Sequence, residues 1–410
     1  MRSIELFTGA GGLALGTHRG GFHHLAVVER DRDSCDTLRL NVKRKDSTGV
    51  DWPIIESDVA NVDYAVYPES IDLLAAGAPC QPFSLGGKHA GNVDERNMFP
   101  EVFRAVRELR PRAFLLENVK GLMRESFGPY FDYIIEQLCF PHIQVRIGEG
   151  WEAHKARIAE QLAFYLVTNP LRHSDLPDRS YSVHHHIINV ADYGVPQQRH
   201  RVFIVGFRLD LAAYWAFPVS THSEDALLYS QYVDGSYWEE HGLEPRVVPE
   251  RLVVRVKKLA QKPKPAEKRW RTVRDALRDL PEPINYERHP EFDNHVGIPD
   301  ARVYKGHTGS PWDWPAKAIK AGDHGNPGGE NMLRRDNGSV RYFTVRELAR
   351  LQTFPDEWYF ANSWTETRRQ LGNAVPVKIA EILSRQVYDE LKRLTFTMHP
   401  ERVELMASLG

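Results

Sequence analysis

The sequence predicts an α/β chain: an open sheet whose strand tips line a ligand crevice, joined to a second, loop-rich module. Three observations predict it. An apolar run, Ile4-Glu5-Leu6-Phe7, enters the glycine-rich turn Thr8-Gly9-Ala10-Gly11-Gly12-Leu13, which opens a helix. Carboxylates, Glu29 and Asp58, end the next two strand-like runs. After Arg208 the alternation of strand and helix patterns gives way to a basic stretch punctuated by proline and tryptophan. Alternating strands and helices build a parallel sheet, and such sheets bind ligands beyond the carboxyl ends of their strands.

Composition sets the limits. A chain of 410 residues suits two or three domains. Apolar residues make up 42% and charged residues 26%, enough for a sizeable core in a globular protein. No apolar run approaches the roughly 20 residues of a membrane span. Met1-Arg2-Ser3 leads straight into the first strand, so no secretory leader is expected. Cys35, Cys80 and Cys139 are far apart, with neither metal-ligand spacing nor a disulfide framework, so the expectation is a reducing cytoplasm and no metal. The formal net charge of −2 gives no global sign of a polyanionic partner, but charge is segregated along the chain.

The glycine turn allows tight backbone curvature and close approach to a ligand. The second strand, residues 25–28, ends on Glu29, about 20 residues on, where nucleotide-binding folds hold ribose hydroxyls. Ser57-Asp58-Val59 is a third tip. The spacing is not G-x-G-x-x-G, because Ala14 stands at the sixth position. With two carboxylates in sequence, a nucleoside-binding crevice outweighs a plain strand–turn–helix.

The fourth strand, residues 71–76, delivers Pro79-Cys80-Gln81-Pro82-Phe83-Ser84, followed by a loop, Leu85-Gly86-Gly87-Lys88-His89-Ala90-Gly91. A thiol at a strand end, between prolines and ahead of a glycine-rich flap, reads as a nucleophile. The structural alternative is a buried cysteine, the commoner role of a free thiol. A helix over 100–109 follows, with apolar residues at 102, 103, 106 and 109. The strand at 113–116 brings Glu117-Asn118-Val119 to the same sheet edge as Cys80. A carboxyl shielded there has a raised pKa and donates a proton.

Residues 124–179 read as helical, with an amphipathic helix at 151–166 expected to pack on the sheet. His184, His185 and His186 alternate across a strand and make a poor metal site. Gln197-Gln198-Arg199-His200-Arg201 precedes a strand at 202–207, so Arg199 and Arg201 share one face as cations at the crevice or as a solvated strand end. From 241 to 280 there are twelve Lys/Arg against five Asp/Glu, with Trp270 embedded, which suits phosphate backbone. Thr344 caps a helix reaching about 354. Gln370-Leu371-Gly372-Asn373-Ala374-Val375-Pro376 reads as a turn, and a helix over 377–394 packs beside the first strands.

Taken together, and in this order, Phe7-Thr8-Gly9-Ala10-Gly11-Gly12, Glu29, Asp58, Pro79-Cys80-Gln81, Glu117-Asn118-Val119, Gln197-x-Arg199-x-Arg201, Arg346-Glu347 and Gly372-Asn373-Ala374-Val375 resemble the C5-cytosine DNA methyltransferases over nearly the full chain. The resemblance implies a Rossmann-like S-adenosylmethionine-dependent catalytic domain, 1–208 and 345–410, and a smaller loop-rich target-recognition domain, 209–344. It implies that Cys80 attacks C6 of a flipped-out cytosine, Glu117 holds N3 and the exocyclic amine, Arg201 holds O2 and Arg199 supports it. S-adenosylmethionine would lie over Phe7, Gly9, Ala10, Gly11, Gly12 and Leu13. Glu29 would take its ribose and Asp58 its adenine amine, with Val59, Pro79, Asn373 and Val375 completing the site. The flap bearing Ser84 and Lys88 would close on DNA, with Arg96 and Gln197 also touching it. Arg334, Arg335, Asn337 and residues 305–310 are candidate base readers.

The glycine turn begins almost at Met1, so the expectation is a stand-alone bacterial modification enzyme, a cytoplasmic and nucleoid-associated monomer acting on a short duplex site, with a restriction endonuclease as possible companion. Rival readings are a tRNA cytosine methyltransferase of the same architecture, a non-catalytic DNA-binding regulator and a nicotinamide oxidoreductase. The long basic module favours duplex DNA over tRNA. The intact Cys80, Glu117 and Arg201 favour catalysis, and the glycine spacing disfavours nicotinamide.

Overall fold

A near-continuous apolar run needs cover on both faces, and β1 (Arg2–Leu6) has it: four of its five residues are buried between parallel neighbours. The computed structural model describes residues 1–68, 71–79, 97–168, 180–303, 308–322 and 329–398. From β1 the chain runs through α1 (Gly12–Arg19), β2 (His23–Glu29), α2 (Arg32–Lys43), β3 (Ile54–Glu56), β4 (Leu73–Gly77), α3 (Phe99–Leu109), β5 (Ala113–Val119), α4 (Gly128–Cys139), α5 (Trp151–Thr168), β6 (Tyr181–Asn189) and β7 (His200–Arg208). These seven strands form one sheet in the order β3-β2-β1-β4-β5-β7-β6. The first five are parallel, and β7 and β6 are antiparallel additions. Strand order reverses between β1 and β4, so their carboxyl ends diverge into a crevice.

Helix α3 starts at Phe99, with Pro100 in its first turn, where a missing N–H costs nothing. It buries Phe99, Val102, Phe103, Val106 and Leu109 with α4 against one sheet face. The helix at 151–166 was expected on the sheet. Instead α5 lies on α4: Trp151 stacks edge-on against Tyr130, and the Tyr133 hydroxyl and the buried His154 ring nitrogen share a hydrogen bond of 3.0 Å. His185 and His186 turn to opposite layers, one against Phe131 and the other against Phe217.

The rest of the chain adds α6 (Glu224–Tyr232), α7 (Ser236–Glu240), α8 (Val253–Leu259), α9 (Val273–Leu277), β8 (Met332–Arg334), β9 (Val340–Tyr342), α10 (Val345–Leu351), α11 (Trp364–Asn373) and α12 (Val377–Met398). Thr344 and Glu347 form a reciprocal capping box at the start of α10, as Thr344 predicts. The turn expected at 370–376 is in its first half the end of α11, which Ser363 caps.

Packing does not follow the expected 209–344 boundary. Leu227, Tyr237, Trp238 and Trp270 form a small core with Ala191, and Leu228, Leu252, Val256 and Leu259 form another. Val273, Leu277, Ala316, Ile319, Leu333 and Phe343 instead share a core with Leu15, Leu38, Trp358 and Leu371. Residues 316–317 also pair in parallel with 197–198.

Candidate active site

The strand tips enclose a cleft of about 530 Å³, within the usual range for a ligand site. At one end is the turn after β1. Phe7 and Gly9 both have positive φ, 57° and 56°. A Cβ on Gly9 would meet nothing within 4 Å, so its backbone faces open space. The Gly9 N–H donates to Glu29 Oε2 at 2.7 Å, and Glu29 Oε1 accepts from the Arg30 and Asp31 N–H groups at 2.9 and 2.8 Å. The carboxylate at the tip of β2 thus ties the glycine turn down while still bordering the cleft. Asp58 also lines it; the Ala60 N–H, and then Arg30 at 3.1 Å, hold its pKa below the usual carboxylate range.

Phe7, Gly9, Leu13, Val59, Pro79, Asn373 and Val375 line the cleft as expected. Ala10, Gly11 and Gly12 do not. Ala10 is buried in the core, Gly11 lies under Trp358 and Leu38, and a Cβ on Gly12 would come 2.3 Å from the Val375 carbonyl. These three shape the turn and let α1 approach 374–375, leaving the ligand face to their neighbours.

At the other end, β4 and β5 pair Gly77 with Glu117 in register, and the Asn118 side chain donates to the Ala78 carbonyl at 3.3 Å. The chain entering Pro79 is therefore tied to the strand that carries Glu117. Antiparallel pairing sets Arg201 opposite Val119, so its guanidinium crosses diagonally and Nε meets Glu117 Oε1 at 2.8 Å. Glu117 is 8% exposed. Burial raises its pKa, and the Arg201 and Arg199 charges only partly offset this. A protonatable carboxyl and a fixed cation thus face the cleft together.

Cys80, Ser84, Lys88 and Arg96 lie outside the described residues. Two further expectations need correction. Arg199 and Gln197 reach neither cleft nor surface, because both are buried. Arg199 donates to the carbonyls of Ile319, Gly372 and Ala374 at 2.8, 2.6 and 3.2 Å. Gln197 donates to Leu351 O and Gln352 Oε1 and accepts from the Ile319 N–H. The two brace the segment that presents Asn373. Their alternating polar pattern reads as a solvated strand end only because the carbonyls they satisfy come from 120 or more residues away.

Among the candidate base readers, Arg334 is exposed, while Arg335 pairs with Glu282. Asn337 folds back on the Ser339 N–H and hydroxyl, and the buried Ser310 accepts from the Lys317 N–H. Lys305 lies outside the described residues.

Sequence reasoning missed several lining residues, among them Asp31, Arg369 and Gln370. Asp31 caps α2 through the Ser34 N–H and binds Arg369 at 2.8 Å. Burial alone would raise its pKa, but Ser34 and Arg369 outweigh it and the net shift is downward. The signal for Asp31 was present, since an Asp three residues before a Ser at a helix start is a capping pattern. Arg369 carried none, because its position depends on α11.

The family model described as C-5 cytosine-specific DNA methylase matches residues 1–140 and 172–389. The type II methyltransferase M.NgoMIV of Neisseria gonorrhoeae is 30% identical over 398 residues, covering 95% of this chain and 98% of that protein. M.PspPI of a Psychrobacter strain is 31% identical over 395 residues, covering 94% and 78%. Among solved structures, a prophage-encoded DNA modification methyltransferase from E. coli superposes with a TM-score of 0.56 at 20% identity, covering 96% of this chain and 99% of that one. The S. pombe Dnmt2 methyltransferase gives 0.55 at 15% identity, covering 95% and 99%. At these identities the superpositions speak for the fold.

Proposed function

The chain belongs to the C-5 cytosine-specific DNA methylases, and from that premise we propose how the cleft divides its work: the Glu29–Asp58 end holds S-adenosylmethionine, and the Glu117–Arg201 end holds a cytosine swung out of its duplex. The protein is a DNA (cytosine-5-)-methyltransferase, an enzyme that methylates cytosine at C5. The observation that carries the division is the buried Glu117–Arg201 pair, 2.8 Å apart, facing a cleft whose opposite end bears two carboxylates on separate strand tips.

The residues present fit the cofactor. Glu29 spends three acceptor positions on backbone N–H groups, and an ionised carboxylate has about four. One remains for a ribose hydroxyl. Asp58 is placed for an exocyclic amine, Phe7 and Gly9 form an open floor, and Asn373 borders the rim. When bound, S-adenosylmethionine supplies an electrophilic methyl group on a sulfonium.

C5 of cytosine is a weak nucleophile. Addition of the Cys80 thiolate at C6 makes the ring enamine-like, and C5 then attacks the methyl group. Glu117 donates to N3 as charge builds on the ring, and Arg201 holds O2. Loss of the C5 proton to a base such as water and departure of the Cys80 sulfur restore the ring. Arg199 acts from behind, positioning 372–374. A base in the stack cannot present C6, so the nucleotide must be extruded. Ser84 and Lys88 on the flap, with Arg96, would hold the extruded strand, and residues 209–344, Arg334 among them, would read the site. The named relatives are type II methyltransferases, which supports a role protecting a short duplex sequence from a companion endonuclease, as a monomer in the bacterial cytoplasm.

Cys80→Ala is expected to abolish transfer of labelled methyl groups to DNA while leaving S-adenosylmethionine binding intact. Wild-type enzyme, but not the variant, should form a covalent complex with duplex carrying 5-fluorocytosine. Methylation by the Ala variant would overturn the assignment.

A further inference from the structure

Most arginines of the 209–344 segment are neutralised internally. Arg255 binds Glu224 and Asp225, Arg269 binds Asp275 and Glu240, and Arg274 binds Asp313. Lys268 and Arg271 are different. Both are exposed, and among the described residues neither has a carboxylate partner. Arg271 Nη2 donates only to the Asp275 carbonyl. A third such cation, Lys378 on the first turn of α12, comes to the same place. Its Nζ lies 3.4 Å from the Gly194 carbonyl oxygen.

His222 sits at the centre. It pairs in register with Lys268 across a short parallel ladder. A Cβ on Gly194, whose φ is +79°, would lie 2.6 Å from His222 Cε1 and 2.8 Å from Lys378 Nζ, so glycine is what lets the two groups approach. The charges feel one another. Burial, then Arg271 and Lys268, lowers the pKa of Lys378 against a smaller opposing effect of Glu381. Burial, then Lys378, Lys268 and Arg271, pushes His222 down to about 4. The cluster stands at the strand-tip edge. Lys378 is three residues beyond Val375 in the cleft wall, and the turn at 190–193 leads directly into the strand carrying Arg201.

Resting on the DNA reading above, we infer that Lys268, Arg271 and Lys378, gathered around His222 and Gly194, hold a backbone phosphate of the duplex whose cytosine enters the cleft. Cations held close together repel one another until an anion joins them, and ammonium and guanidinium groups are the side chains that bind phosphate. Such a contact positions the duplex and carries no sequence information.

The test is the salt dependence of duplex binding. Lys268→Gln/Arg271→Gln should lower affinity between about 10-fold and 100-fold at 0.1 M salt and reduce the slope of log K against log [salt] by about 1.8. The loss should be equal on target and unrelated duplexes, with S-adenosylmethionine affinity unchanged. Lys268→Arg/Arg271→Lys should restore the slope. A variant that binds with the wild-type slope, or loses affinity only on the target sequence, would overturn the inference. Failure of wild-type enzyme to methylate duplex DNA would instead remove the underlying reading.

Discussion

Glu117 shows what one position tells from sequence and what it withholds. A glutamate at a strand tip, one register step from the chain that leads to Pro79, is legible as a candidate acid. Its pairing with Arg201 is not, because that depends on β5 and β7 meeting antiparallel across 84 residues. The consequence is a pH dependence. Burial raises the Glu117 pKa and Arg201 pulls it part of the way back. The acid works only while protonated, so kcat/KM for methyl transfer should decline as pH rises through that raised value. Glu117→Gln cannot ionise. Its rate should be lower by about 10²-fold or more, the scale of a positioned acid, and its profile should lack that alkaline decline. A Gln variant that keeps the decline would assign it to another group. Gln197 and Arg199 mark the opposite failure: the residue types were noticed, but their burial depends on the carbonyls of 319, 351, 372 and 374, which no local pattern reveals.

Among the elements, the helices were read well where periodicity was strong and poorly where glycine stood for contact rather than for a bend. Helix α12 is an apolar stripe and was found. The end of α11 was taken for a turn because of Gly372, yet a Cβ there would fall 2.2 Å from the Ala321 nitrogen. Glycine sits in that helix because another backbone passes against it. The same holds along α1. A Cβ on Gly16 would lie 2.3 Å from Ala380 Cβ and 2.6 Å from the Val377 carbonyl oxygen, and one on Gly20 would lie 2.1 Å from Ser384 Oγ. The turn and helix that the sequence offers as a cofactor signature are thus also the docking face for α12. Gly16→Ala gains up to about 1 kcal/mol of helix propensity but overpacks a backbone contact, which typically costs about 1–3 kcal/mol. The expected result is net destabilisation in urea unfolding, with cofactor affinity reduced through the displaced 374–375 segment. A variant as stable as wild type would show that α12 yields at no cost.

At the scale of the whole molecule, the shift in composition after Arg208 was legible, but the place where the chain returns to the main body was not. Composition changes back near 344, whereas packing returns near 273. Val273 and Leu277 of α9, with Ala316, Ile319 and Leu333, fill the core beside Leu15 and Trp358, while α7 and α8 rest on two small clusters of their own. Sequence could not show this, because α9 is five residues long and the partners of Ala316 and Ile319 are more than a hundred residues earlier or on α11. Opening free energy follows how much packed surface a segment must give up. Amides of α9 and of 316–319 should therefore exchange with deuterium as slowly as those of α1 and α10, and α7 and α8 should open first. Duplex DNA should slow exchange in the 268–271 stretch without changing α9, since the proposed phosphate contact lies on the exposed side of that boundary. If α9 instead exchanged together with α8, the unit that moves on DNA would be the whole of 209–344. The brace that Arg199 forms with Ile319 would then open with it, and the cleft wall at 372–374 would depend on DNA for its order.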